Sequence, residues 1–429
     1  MSSVDSRGPV FISYRQSDGS GLAMDLAWAL RAAGVPVWHD QADLLPGDTN
    51  RRLEEALESG LSGAVLVVTP DIAASTVIRD VELPRLLDLE RTSEFTFSIV
   101  SIIELSLGKL DYEAPDRLLT QPAGTLQRLD QQPIFHPEQR AAVAHSHARR
   151  RLHHLRPDIA AAGGVLSLDV QTRISPFAAR ADADLVLRLR PPAAADRRPS
   201  RAGLEDLQHF LAGLPQLVAL AGGKRVLVRG GAHLSAAFAL GAALPTTLVG
   251  QVEVVDTQGA TWALDGNAPV PGPDRHLEHR SPPVTSHPKG PVLLYLDLRP
   301  ALSNAAFEDF HAFDPGRLAA RAHLGQPVGQ LLDPADAAAI VGEAEYEIRT
   351  LAGAHHTNEI HLLLRCPYGV ALLLGRTLNT MRVHLYEWED GPDDAGAPAP
   401  PRYVPSLVVR SGAGGSPIES VTLITRPTV

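Results

Sequence analysis

Cysteine is nearly absent: Cys366 is the one thiol among 429 residues. A lone thiol closes no disulfide within the chain and builds no cysteine-based zinc site, which is what a reducing interior favours. Lysine is confined to Lys109, Lys224 and Lys289, while arginine and alanine are common, a bias given no functional weight. Missing too is the run of ~18 apolar residues that spans a bilayer. The most apolar stretch, 234–248, is broken by Ser235, Pro245 and Thr246, and the opening residues lack the apolar core of a secretory signal. A soluble, cytoplasmic protein with no membrane partner is expected. Positive charge is in deficit as well, with 39 Lys+Arg against 49 Asp+Glu and a net charge of -10. Chains that wrap DNA or long RNA through phosphates carry the opposite balance. An anionic ligand instead needs a local arginine cluster working against the global field. Gly222-Gly223-Lys224-Arg225 lacks the first glycine and the hydroxyl of a P-loop, and no Gly-x-Ser-x-Gly elbow occurs. His145, His147, His153 and His154, and His276 with His279, have no ordered acidic or cysteine partners in sequence. They read as solvated helix or loop, and no metal or resident cofactor is expected.

What is present is a foldable chain, 44% hydrophobic and 21% charged. At roughly 100–200 residues per domain the length predicts several domains. The first hundred residues alternate strand and helix signals. Residues 10–13, 35–38, 64–68 and 95–103 are short apolar runs. Between them lie a helix with Leu22, Leu26 and Leu30 on one face, capped at Ser20 and stopped at Gly34, a helix opening at Asp48 or Thr49, and a helix near 82–90. This order predicts a flavodoxin-like parallel sheet with helices on both faces and a site beyond the carboxyl ends of its strands.

Residues 131–160 read as a basic helical connector, after which strands resume at 165–170 and 185–189 and an amphipathic helix, strained by Pro215, at 204–220. The most informative feature is an internal repeat. Val226-Leu227-Val228-Arg229 leads through Gly230 and His233 into an apolar segment with Gly241, then a Thr-containing turn and a strand at 251–255. His361-Leu362-Leu363-Leu364-Arg365 leads through Pro367 and Tyr368 into an apolar segment with Gly375, a turn and a strand at 383–386. The openings echo each other as well: Val165 to Arg173 and Val292 to Arg299. Two α/β lobes related by a pseudo-two-fold, about 161–266 and 290–429, are predicted, joined by a Pro-rich surface loop at 267–290. Recurring arginines at strand ends, beside helix N-termini, suit phosphates, and aromatic rings suit bases.

In the first domain, Tyr14, Arg15 and Asp18 follow the first strand, Trp38, Asp40 and Asp43 the second, and Glu82 the third. Trp38 is read either as core packing or as a stacking platform, Arg15 with Asp18 as a surface ion pair or as site residues, and Glu82 as a helix-start carboxylate or as a reactive one. Phe11-Ile12-Ser13-Tyr14-Arg15, Val37-Trp38-His39-Asp40, Leu45-Pro46-Gly47-Asp48, the 63–70 strand and the 76–82 segment together resemble a TIR (Toll/interleukin-1 receptor) domain over about residues 1–130. The resemblance implies NAD+ as substrate, Glu82 as the catalytic residue, and Tyr14, Arg15, Trp38, Asp43, Leu44, Leu45 and Gly47 around the dinucleotide. Ile78 and Arg79 depart from the residues usual before this glutamate, which leaves Asp80 as a competitor. A single carboxylate suits the chemistry. Glycosidases need a second one to protonate an alkoxide, whereas nicotinamide leaves a pyridinium as a neutral molecule.

The block Arg229 to Gly241, the following Pro245-Thr246-Thr247, and Trp262 after Asp256 resemble a SAVED domain, two fused CARF-like (Rossmann-like) lobes found in anti-phage systems of the CBASS type. That resemblance, over about 161–429, implies a cyclic oligonucleotide ligand, commonly a cyclic trinucleotide. Candidate contacts are Arg173, Arg229, Gly230, His233 and Ser235 from one lobe and Arg299, Arg365, Pro367, Tyr368 and Trp388 from the other. The expectation is a ligand-activated NAD+ glycohydrolase that assembles head to tail into filaments; the alternative is a non-enzymatic TIR scaffold.

Overall fold

The computed structural model describes residues 4–38, 56–58, 60–173, 182–192, 198–299, 304–312, 318–327, 332–389, 401–412 and 415–424. Asp40, Asp43, Leu44, Leu45, Gly47, Asp48 and Thr49 lie outside them. The chain divides into two compact units, one built from 1–163 with 176–188 and 220–222, the other from 164–175, 189–219 and 223–429.

The first unit opens with β1 (Val10–Tyr14), α1 (Gln16–Ala32), β2 (Val37–Trp38) and β3 (Gly63–Val68). A 3₁₀ turn (Pro70–Ala74) and a π-helical turn (Ile78–Glu82) lead into α2 (Leu83–Glu90). There follow β4 (Thr96–Ser101), a hairpin of β5 (Glu104–Ser106) and β6 (Lys109–Leu110), α3 (Ala114–Leu118), β7 (Asp130–Pro133) and α4 (Pro137–Ala161). The sheet order β2-β1-β3-β4-β7 is parallel throughout. Every residue of β3 and β4 is buried; β3 reads as an unbroken apolar run, whereas β4 also buries the hydroxyls of Thr96, Ser98 and Ser101. The first helix starts earlier than the Ser20 cap predicted. Arg15 takes the N-cap position in extended backbone, and the Ser20 hydroxyl donates back to the Gln16 carbonyl at 2.7 Å. Gly34 closes it at φ 78°, as expected.

The predicted connector is a 25-residue helix built into the first unit. Its histidines and arginines face inward as well as outward. His147 and Arg151 are each 3% exposed, contrary to the solvated reading. Arg151 donates to the carbonyl oxygens of Ser6, Arg7, Gly8, Ala183 and Asp184 over 2.7–3.4 Å. Burial pushes its pKa down to about 9, against the favourable field of Asp184. The same desolvation, with Arg150 nearby, pushes His147 down to about 3.

The second unit starts with β8 (Val165–Gln171); β9 (Leu185–Arg188), next in sequence, belongs to the first unit. Then come α5 (Arg201–Ala221), β10 (Arg225–Gly231), α6 (Leu234–Ala242), β11 (Gln251–Val255) and β12 (Thr261–Asp265). The second lobe follows with β13 (Glu278–Thr285), β14 (Val292–Asp297), α7 (Ala305–Ala312), β15 (Ala320–Gly325), α8 (Ala337–Ala354), β16 (Glu359–Arg365), α9 (Tyr368–Thr377), β17 (Arg382–Glu389), β18 (Arg402–Arg410) and β19 (Ile418–Val421). The first lobe runs β12-β11-β10-β8, and the second β13-β15-β14-β16-β17-β18-β19. Both have parallel centres; β12 joins the first antiparallel at one edge, and in the second β13 at one edge and β18 and β19 at the other are antiparallel. Helix α5 carries Pro215 inside it. The stretch predicted as a Pro-rich loop contains β13, paired antiparallel with β15. Its histidines find acidic partners that the sequence did not show: the half-buried His276 ring and backbone, with the Leu277 backbone, bond the buried Glu343, and the exposed His279 bonds Glu347 at 3.2 Å.

The repeated glycines explain how the lobes meet. A Cβ on Gly241 of α6 would lie 1.8 Å from the Leu372 carbonyl oxygen of α9; one on Gly375 of α9 would lie 2.1 Å from the Phe238 carbonyl oxygen of α6. Each glycine faces the residue three positions before its counterpart, the signature of a two-fold crossing at backbone contact. Helix α6 is buried from Ser235 to Ala242.

Two outcomes are expected. Gly241→Val or Gly375→Val should destabilise the second unit by the overpacking cost of about 1–3 kcal/mol or more, read as a lower urea midpoint, because a carbonyl cannot move aside as a side-chain tip can. His147 binds a proton more readily unfolded (near 6.5) than folded (about 3). Stability should therefore fall as pH drops from about 6.5 towards 3, by up to about 1.4 kcal/mol per pH unit from this group. A His147→Leu variant should show a shallower acid slope in urea titrations; an identical slope contradicts the buried neutral imidazole.

Candidate functional site

Two places gather the polar residues of interest, one in each unit. In the first, strand β1 is apolar and buried at Val10, Phe11 and Ile12, then changes character at Ser13, which is 1% exposed. The Ser13 hydroxyl donates to Glu82 Oε2 at 2.6 Å, and Glu82 is itself 4% exposed. Ser13 stands near the carboxyl end of β1, so Glu82 is held at the end of the parallel sheet where α/β folds present ligands.

The route of the chain explains the aim of Glu82. It closes a π-helical turn and occupies the N-cap position of α2, yet its side chain makes no capping bond. A π turn adds a residue to the helical repeat and so rotates the residues after it, a device frequent at functional sites. Asp80, two residues earlier, points away. Arg79 grips both its oxygens at 2.8 and 3.1 Å, and the side chain is 57% exposed. Those hydrogen bonds hold its carboxyl below the usual range.

Around this carboxylate the structure distributes the expected residues unevenly. Asp18 finds its partners in the segment leaving β3 and not in Arg15. It accepts from the Thr69 hydroxyl at 2.7 Å and the Asp71 amide at 2.9 Å, fixing that segment. Arg15 is half-buried, and its Nε makes no hydrogen bond among the described residues. Tyr14 ends β1 and packs beside Gly19. Trp38 is half-buried, lies across from Phe11 with ring centroids 5.7 Å apart, and leans on the apolar core. Asp43, Leu44, Leu45 and Gly47 are outside the described residues. The residue missed in sequence was Ser13; its signal was a hydroxyl interrupting an otherwise apolar buried strand.

In the second unit the repeat becomes a pair of matched strand ends. Arg229 lies opposite Asp169 in the β8–β10 register, and Arg365 opposite Asp297 in the β14–β16 register. The two arginines nonetheless differ. Arg365 donates to Asp297 Oδ1 at 2.9 Å, with Asp297 fully buried, and its guanidinium lies 5.8 Å from the Trp388 ring. Arg229 is exposed, as are Arg173 and Arg299, whose backbone amides bond Gln171 and Asp297. Gly230 has φ 104°, and a Cβ there would strike the Val170 carbonyl at 2.2 Å, so the strand end admits no side chain.

Not every predicted contact faces outward. His233 is 3% exposed, stands at the N-cap position of α6 without a side-chain capping bond, and bonds Thr172 through ring and backbone at 2.8 and 2.7 Å. Ser235 is fully buried; its amide and hydroxyl donate to Glu387 Oε1 at 2.9 and 2.5 Å, and its hydroxyl also meets Ser406. Glu387 comes from the other lobe and sets a negative charge at the positive end of α6. The reciprocal contact runs the other way. Tyr368, in the first turn of α9 after Pro367, donates its hydroxyl to the Val255 carbonyl at 2.9 Å. Burial, with Asp256 and Asp169 nearby, raises the Tyr368 pKa. Trp388 is half-buried and packs edge-on against Tyr403 at 5.4 Å. Cys366 is buried and its thiol pushed up to about 12 by desolvation, a packing residue.

Residues 10–132 match the TIR domain model, and residues 214–409 match SAVED, the SMODS-associated and fused to various effectors sensor domain. Among curated proteins, the NAD(+) hydrolase PdTIR of Paracoccus denitrificans is 41% identical over 61 residues, 14% of this chain and 20% of that protein. The chain thus spans about a fifth of the length of that relative. Among solved structures, the Acinetobacter baumannii Cap4 SAVED/CARF-domain containing receptor, with the cyclic trinucleotide 2'3'3'-cAAA, is 13% identical with TM-score 0.45 over 84% of each chain. The Moraxella osloensis Cap4 receptor is 13% identical with TM-score 0.40 over 83% of each. Among the described residues no helix is long and apolar enough to cross a membrane.

The unequal arginines make a prediction. Arg365→Ala removes the cation paired with a fully buried carboxylate and should destabilise the second unit by about 3 kcal/mol. Arg229→Ala should stay within about 0.5 kcal/mol of the parent. Equal shifts in unfolding midpoint would contradict the difference between the two strand ends.

Proposed function

Taking as premise that the chain joins an amino-terminal TIR domain to a SAVED sensor domain, we propose that it is an NAD+ glycohydrolase switched on by a cyclic trinucleotide, most simply a cyclic tri-adenylate. The observation that carries the catalytic half is Glu82, a buried carboxylate aimed by Ser13 at the carboxyl end of a parallel sheet. Cleaving the bond between nicotinamide and ribose builds positive charge on the anomeric carbon while a neutral base departs. One preorganised anion beside that carbon stabilises the developing oxocarbenium ion, and no general acid is needed. Water then completes the transfer to give ADP-ribose, or an adenine nitrogen of the same molecule closes the ring to cyclic ADP-ribose. Tyr14, Arg15 and Trp38 flank the dinucleotide in this reading.

For the sensor, the exposed strand-end arginines Arg173, Arg229 and Arg299 take phosphates, and the half-buried rings of Tyr368 and Trp388 take bases. Arg365 is tied to Asp297 and contributes field more than direct contact. His233 and Ser235 stand behind the site and hold α6. The ligand favours an assembled form because it binds that form better than the free one. A head-to-tail contact that fails to close gives a filament. Depletion of NAD+ by the assembled enzyme would serve anti-phage defence.

The test follows nicotinamide release from NAD+ with purified full-length protein and a panel of cyclic oligonucleotides. Glu82→Gln should lower turnover by at least about a thousandfold, the scale of a lost electrostatic stabiliser, while ligand binding by calorimetry and particle size by light scattering stay unchanged. Turnover retained in the variant would overturn Glu82. Ligand binding without release in the parent chain would favour a non-enzymatic scaffold.

A further inference from the structure

We infer that Ser13 is a positioning residue for the cleavage reaction, acting through Glu82; the inference rests on the proposed catalytic role of Glu82. A hydroxyl buried in this sheet must find a partner inside the protein. Ser13 is 1% exposed, lies beside Leu66 in the β1–β3 register, and follows three buried apolar residues. Burying a hydroxyl without a partner is costly, so a serine here needs a bond, and it has one. The 2.6 Å separation from Glu82 Oε2 falls in the range of hydroxyl bonds to an ionised carboxylate. That bond does two things. It fixes the carboxylate plane, whose terminal torsion is otherwise broad. It also favours the anion over the acid, since a hydroxyl bonds an ionised carboxylate more strongly than a neutral carboxyl group.

The arrangement is specific to this carboxylate. Asp80, on the same turn, takes its hydrogen bonds from Arg79 at the surface. Glu82 lies within a continuous helical run that passes from the π turn into α2, and its side chain turns out of that helix to reach β1. The strand supplies the rigid partner, since β1 is paired in parallel with β2 on one side and β3 on the other. A side chain on a strand positions a reacting group more tightly than one on a loop.

The experiment compares Ser13→Ala and Ser13→Thr with the parent full-length chain, measuring kcat and KM for NAD+ and the pH profile of kcat with cyclic tri-adenylate as activator. Ser13→Ala should lower kcat by about 10–100-fold, the loss of one hydrogen bond to a charged group. Its KM should stay within about twofold, and the acid limb of its profile should move up by about one pH unit. Ser13→Thr keeps the hydroxyl and should return the acid limb to the parent position. The inference is overturned if Ser13→Ala keeps both kcat and the acid limb. It is equally overturned if Ala and Thr lose kcat alike with the limb unmoved, which is the mark of packing alone. Glu82→Gln in the same assay separates the levels. An inactive Glu82→Gln beside an unimpaired Ser13→Ala sinks this inference only; an active Glu82→Gln, or a parent chain with no turnover, sinks the reading beneath it.

Discussion

The sensor is organised around two helices that touch backbone to backbone. Gly241 and Gly375 admit each other's partner carbonyls, and any side chain there would occupy the space of an oxygen. Because the contact is reciprocal, it sets the two lobes in a two-fold relation and lets the first turn of each helix reach the far lobe's strand. Tyr368 bonds Val255 in one direction, and Ser235 bonds Glu387 in the other. Buried Arg376 adds a third tie, donating from α9 to the Val249 carbonyl at 2.6 Å, with its pKa pushed down to about 10 by burial. Matched strand ends at Arg229 and Arg365 are the consequence of this geometry.

Symmetry in the fold coexists with asymmetry in the chemistry. The paired aspartates, Asp169 and Asp297, arise at equivalent register positions, but only Asp297 is fully buried against its arginine. The N-terminus of α6 is met by a carboxylate from the other lobe, whereas that of α9 carries a tyrosine whose hydroxyl reaches a carbonyl. The two lobes thus present different chemistry at equivalent strand and helix ends.

Much of this was legible in the sequence. The parallel order of the first sheet, the two-lobe repeat and its glycines follow from apolar periodicity and spacing, which report burial directly. What escaped was decided by tertiary partners. Ser20 looked like a cap, but the helix begins at Gln16 because the extended backbone of Arg15 already supplies the entry. His147 looked solvated and Arg151 read as part of a basic connector, since nothing local announces that five distant carbonyls await a guanidinium. Arg15 and Asp18 looked like an ion pair until Thr69 and Asp71 claimed the aspartate. The residues 267–290 looked like a loop because proline and charge mark an exposed edge strand as readily as a turn. Ser13 was visible as a letter in a motif; its role needed the π turn that swings Glu82 onto it.

The central claim is that a carboxylate built into the first unit does its work only when the sensor is occupied and chains have come together. The direct measurement is the initial rate of nicotinamide release against protein concentration, with and without saturating cyclic tri-adenylate. The account predicts negligible release without the ligand at all dilutions, and with it a rate per chain that climbs with concentration before levelling. A rate per chain that is the same with and without the ligand, and independent of dilution, would contradict it.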